Sequence, residues 1–183
     1  TNPSGGWATR QLTTNLGMVD ALVNPGNFPA GNYANIADNR VYKSFNLSGK
    51  NSAILSFLMQ VAVQPNDALN LNYHSGGTDP FAGGGFQLSG GSGTTGGVAA
   101  PFSFDISPCI GATCTVGFQL LSNASATDLG AGVTLFSIKT LQLNNTSYKT
   151  ASGTSMATPM VAGLAAMLRA YNPQFTYADT VGA

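Results

Sequence analysis

The sequence predicts a mainly β chain, an antiparallel β-sandwich over residues 1–145 followed by a C-terminal α-helix within residues 146–183. Three observations predict it. Strand-like runs of alternating apolar and polar residues recur through the first part of the chain, split by Gly, Asn, Pro and Ser. Glycine numbers 23 and only 8% of residues are charged, a composition suited to a β-rich extracellular protein with many turns. From Met160 to Leu168 the texture changes to small and apolar residues on more than one helical face.

The strands follow in order. Val41, Lys43, Phe45 and Leu47 alternate with Tyr42, Ser44 and Asn46. Residues 52–63 are apolar on both parities, as in a central strand. Leu69, Leu71 and Tyr73 form one face of the next strand, while Asn70, Asn72 and His74 form its polar face. Phe102, Phe104 and Ile106 alternate, as do Cys114, Val116, Phe118 and Leu120. In residues 132–143 the apolar parity changes midway, which predicts a bulge. Several short strands with turn signals between them indicate a sandwich with its core between two sheets. The glycine-dense stretch, 83–85 and 89–97, lacks the Lys and the strand–loop–helix context of a phosphate-binding loop, so it is read as a flexible connection.

Seven basic and seven acidic residues give zero net charge. That balance argues against a nucleic-acid groove or an anionic membrane surface as partner. The longest apolar stretch is too short to span a bilayer, and no secretory signal opens the chain. The two cysteines, Cys109 and Cys114, have no His or further Cys beside them, a poor set for zinc. A small-loop disulfide fits an oxidising compartment, and two buried thiols are the alternative. Asp20, Asn32 and Asp38 have oxygens that suit calcium, and ordinary turn chemistry accounts for them equally. Asn46, Asn123 and Asn144 open glycosylation-acceptor patterns, which arise often by chance in Asn/Ser-rich chains.

The tail carries the most specific motif, Gly153-Thr154-Ser155-Met156-Ala157-Thr158-Pro159 running into Met160-Val161-Ala162-Gly163. A serine at the first turn of a helix lies beside backbone N–H groups that have no internal partner, which suits stabilisation of an oxyanion. The segment resembles the nucleophile segment of the subtilisin-like serine proteases, with Met160 where many members carry His. The resemblance implies Ser155 as catalytic nucleophile of an acyl-enzyme mechanism, and makes the tail helix part of an incomplete subtilisin-like α/β domain. The family's Asp and His segments, D-[ST]-G and H-G-T, do not occur, and its oxyanion Asn has no recognisable context. The lone histidine, His74, shares the polar strand face and has nothing to bring it to Ser155. The chain is therefore expected to be inactive alone, and residues from about 146 onward to be poorly packed without the rest of the catalytic domain.

The body resembles a second family. Trp7, then Gly31-Asn32-Tyr33-Ala34-Asn35, Phe45-Asn46-Leu47-Ser48-Gly49 and the strand Ala53-Ile54-Leu55-Ser56-Phe57 are similar to the MAM-like, or immune-inhibitor-A-like, jelly-roll modules of secreted bacterial proteases. Together the two resemblances imply a jelly roll (1–145) inserted before the serine-bearing piece (146–183) of a secreted serine endopeptidase. Its partners are a peptide or protein substrate in the intact enzyme and the remainder of the catalytic domain, with no cofactor required for the chemistry. The alternative function is a non-catalytic carbohydrate- or protein-binding β-sandwich.

Overall fold

The computed structural model describes residues 6–14, 17–26 and 28–142, and beyond them Ala162 and the pair Ala166 and Met167, which are helical in backbone and exposed. The chain divides into two compact units, Thr1–Leu143 and Asn144–Ala183, and the architecture below is that of the first. Its strands are β1 (Ala8–Thr14), β2 (Gly17–Val23), β3 (Asp38–Asn46), β4 (Ser52–Val63), β5 (Ala68–Ser75), β6 (Phe86–Gly91), β7 (Gly93–Thr94), β8 (Ala100–Asp105), β9 (Thr113–Leu121) and β10 (Gly130–Leu141).

Sheet A runs β1-β2-β10-β4-β7, with β8 also pairing β4, and sheet B runs β3-β9-β5-β6. The pairings are antiparallel. β4 lies between β10 on one side and β8 and β7 on the other, which explains its apolar run. Its inward residues Leu55, Phe57 and Met59 pack with Leu69, Leu71 and Tyr73 of β5 and Val116, Phe118 and Leu120 of β9. Phe57 is the hub. Its ring lies 5.6 Å from Phe102, 6.1 Å from Phe104 and 5.3 Å, edge-on, from Phe118, separations at which aromatic pairs add to simple burial. A smaller cluster of Leu12, Ala21, Val23 and Phe28 forms on the β1–β2 hairpin.

The register of β10 against β4 breaks between Thr134 and Ser137. Leu135 there has φ 50° and projects outward, 60% exposed, while the Phe136 ring stacks 5.9 Å from Phe45. This is the bulge that the parity change predicts. Cys109 and Cys114 form a disulfide, with Cα atoms 5.5 Å apart, tying the 3-10 turn Ser107–Cys109 to the start of β9.

Two expectations need correction. The class is all-β with jelly-roll character. No helix of seven residues or more occurs among the described residues: helical backbone there is confined to that three-residue turn and to Ala162, Ala166 and Met167. The expected combination of a sandwich with a C-terminal helix of a subtilisin-like α/β domain is therefore overturned. The glycine-dense connection also contains two strands, β6 and β7. Gly90 belongs in β6 for a packing reason: a Cβ there would fall onto the Gln87 and Asn70 side chains.

Candidate functional site

The outer face of sheet B carries polar side chains on β3, β9 and β5, those of Gln119 and Thr115 being buried at its centre. Register places three cross-strand rows on it: Arg40–Gln119–Asn70, Tyr42–Gly117–Asn72 and Ser44–Thr115–His74. These are the residues that alternate with the core positions of β3, β9 and β5.

The first row extends into a hydrogen-bonded line across four strands. Gln87 Nε2 donates to Asn70 Oδ1 at 3.1 Å, Asn70 Nδ2 donates to Gln119 Oε1 at 3.2 Å, and Gln119 Nε2 donates to Asp38 Oδ1 at 2.8 Å. Arg40 closes the line, with Nε and Nη2 reaching the two Asp38 oxygens at 2.9 and 2.6 Å. The Arg40 hydrogen bonds hold the Asp38 carboxyl below its ordinary range, with Gln119 adding to the effect. Asp38 in turn raises the Arg40 guanidinium. Donor follows donor from Gln87 to the carboxylate, so each group polarises the next. Each amide also has a second N–H beyond the one it uses in the line.

A loop, residues 76–85, crosses the middle row. Arg40 Nη1 reaches Asp79 at 3.2 Å, Asn72 Nδ2 donates to the Pro80 carbonyl at 3.2 Å, and the Phe81 N–H donates to Asp79 Oδ1 at 2.9 Å. Gly117 makes the crossing feasible. A Cβ on it would lie 2.8 Å from Tyr42 Cβ and 2.9 Å from Phe81 Cε2. Phe81 thus sits over bare backbone, with Arg40 6.0 Å from its ring centre. Beneath the loop, Asn72 Oδ1 is buried and has no hydrogen-bond partner among the described residues.

His74 lies half-buried in the third row, its Nδ1 3.0 Å from Thr78 Oγ1. No carboxylate among the described residues bonds its ring. Ser155 lies outside the described residues. The three oxygen-bearing residues considered for calcium have other bonds: Asp20 accepts from Gln11, Asn32 donates to Thr127 O at 3.2 Å, and Asp38 belongs to the polar line. Among the described residues no three or more His, Cys, Asp or Glu side chains gather to hold a metal. No described helix is long and apolar enough to cross a membrane.

The subtilase family profile matches residues 87–181, slightly more than half of the chain. The chain belongs to the subtilase family. The continuously described part of the match in this subtilase-family chain, residues 87–142, is antiparallel β-structure from β6 to β10 with one 3-10 turn. It contains neither an α/β catalytic architecture nor a cluster of catalytic side chains among the described residues. That finding overturns the expectation of a serine endopeptidase, and with it that of a protease or other hydrolase. None of the curated proteins matches the chain. Among solved structures it is similar to the enzymatically active domain of tailspike protein 4 of bacteriophage CBA120, at 9% identity and a TM-score of 0.40 over 75% of this chain and 20% of that one. It is also similar to a carbohydrate-binding module of Cellvibrio mixtus lichenase 5A in complex with cellotriose, at 12% identity and a TM-score of 0.38 over 79% of this chain and 91% of that one. The chain spans a fifth of the tailspike domain's length.

Of the line Asp38–Gln119–Asn70–Gln87, sequence reasoning singled out Asp38, as a calcium candidate, and placed Asn70 on a polar strand face. Gln119, Gln87, Arg40 and Phe81 went unmarked. The polar parity of β5 was the available signal, but only register brings the four strands' amides into one line.

Proposed function

We propose that the β-sandwich, residues 1–145, is a non-catalytic binding module for neutral carbohydrate, with the outer face of sheet B as its binding surface. One observation carries the reading, the hydrogen-bonded line Gln87–Asn70–Gln119–Asp38 beside Phe81. Sugar hydroxyls both donate and accept, and amides and carboxylates in a fixed line present both functions. The apolar faces of a sugar ring need an aromatic or aliphatic neighbour, which Phe81 and Tyr42 supply. The low charged fraction, 8%, and zero net charge of the chain match a neutral ligand. The segments 31–35 and 45–49, which resemble MAM-like modules, are in keeping with an accessory jelly roll. The Cys109–Cys114 disulfide supports an oxidising, extracellular setting.

Glycan-array screening followed by calorimetry tests the proposal. A neutral oligosaccharide should bind the wild-type chain. Asn70→Ala should weaken binding about tenfold, the loss of roughly one well-made hydrogen bond and its neighbour's alignment. Lys139→Ala, on sheet A, should leave it unchanged. Failure of every neutral glycan to bind, or equal binding by Asn70→Ala, would overturn the assignment. Capture of protein ligands alone would do the same.

A further inference from the structure

A groove lies in the seam between the two sheets, meeting that polar face at Tyr42. Among the described residues β3 pairs only with β9, and β10 pairs with β2 only through residues 132–134. The sandwich is therefore open where β3 faces the bulged half of β10. The groove there has a volume of about 410 Å³ and is lined by Leu22, Val41, Val116, Phe118, Val133 and Phe136. That size and apolar lining lie within the range of small-molecule sites, about 300–1,000 Å³.

One cation stands at its edge. Lys43 lines the groove on the strand face of the half-buried Val41 and Phe45, and is itself exposed. Its ammonium lies 5.7 Å from the Phe45 ring centre. The ion pairs among the described residues belong to Arg40, so no described carboxylate pairs with Lys43. A single unpaired cation beside an apolar groove is complementary to an apolar chain ending in one negative charge.

We propose that this seam binds an aliphatic carboxylate, its chain among Val41, Val116, Val133 and Phe136 and its head group at Lys43 Nζ. A lysine on an edge strand can instead serve only to deter strand-to-strand association. That role predicts no ligand, so the two are separable. The site borders the sugar surface at Tyr42 but shares no residue with the amide line, and neither Lys43→Met nor Asn70→Ala alters Tyr42, so failure of either proposal leaves the other standing.

Calorimetric titration of the 183-residue chain with decanoate, below its micellar range, tests it, with decanol as the neutral comparator. Decanoate should bind, and Lys43→Met should weaken it about tenfold, the worth of one charge-assisted contact. Decanol should bind wild-type protein about as weakly as decanoate binds the variant. Lys139→Met, on the outer face of sheet A, should bind decanoate as wild type does. Light scattering of the same samples should show no decanoate-sensitive dimer. The proposal is overturned by absence of binding at about 1 mM, by equal affinity in Lys43→Met, by decanol binding as tightly as decanoate, or by a second copy of the chain occupying the seam.

Discussion

The Tyr33 hydroxyl donates to Asp67 Oδ2 at 2.6 Å, joining two loops that are distant in sequence. The Tyr33 hydroxyl oxygen accepts the Gln64 N–H at 3.1 Å, and Asp67 Oδ1 accepts the Asn123 N–H at 2.8 Å. Tyr33 is 2% exposed. A buried phenol therefore organises one end of the sandwich, where the loops after β2, β4 and β9 meet.

That geometry sets a pH dependence. Burial first, and then the bond to Asp67, push the Tyr33 phenol up to about 12, against an ordinary value of about 10. Above pH 10 the unfolded chain loses this proton and the folded chain retains it. Stability from this group is thus complete below about pH 10 and disappears as pH rises towards 12. Urea denaturation across pH 8 to 12 should show the decline. Tyr33→Phe should flatten it and, by removing a donor to a buried carboxylate oxygen, lower stability at neutral pH by about 1–3 kcal/mol. An equal slope in the variant would assign the alkaline loss to other groups.

Thr134 makes the opposite case. Its hydroxyl oxygen is buried without a hydrogen-bond partner among the described residues, immediately before the β10 bulge. A buried polar atom left unpaired costs about 1–3 kcal/mol, and valine matches threonine in shape and β-branching. Thr134→Val should leave stability unchanged or raise it by about 1 kcal/mol in chemical denaturation. A clear fall would mean that the hydroxyl finds a partner in solution.

How much of this was legible in the sequence depended on where the apolar residues fall. β4 and β9 could be read because each presents successive large residues to one core, and the bulge in β10 could be read because Val133 and Ile138 lie on opposite parities. β1 could not, because Thr9, Arg10 and Gln11 carry no alternation and Leu12 alone is buried in it. β6 could not, because its glycines remove the side chains that periodicity reads. The amide line was hidden for a different reason: Gln87, Asn70, Gln119 and Asp38 are local neighbours only after four strands pair in register. The most specific motif, around Ser155, lies outside the described residues, so the strongest sequence signal and the best-defined surface concern different parts of the chain.

Gly117 links fold to surface most directly. It occupies the centre of the Tyr42–Gly117–Asn72 row, and Phe81 rests where its side chain would be. A Cβ would also approach the Val41 carbonyl oxygen to 2.9 Å, so the clash involves backbone that cannot move without disturbing the β3–β9 ladder. Gly117→Ala should cost about 1–3 kcal/mol, the usual range for overpacking. It should also displace Phe81 and the Asp79–Arg40 contact. Restoring space with Phe81→Ala in the same chain should recover part of the stability but not carbohydrate affinity, because the aromatic neighbour is then gone. Denaturation and calorimetry on the single and double variants separate the two effects. If the single variant were as stable as wild type, the loop would not rest on Gly117. If the double variant bound glycan normally, Phe81 would have no part in the surface.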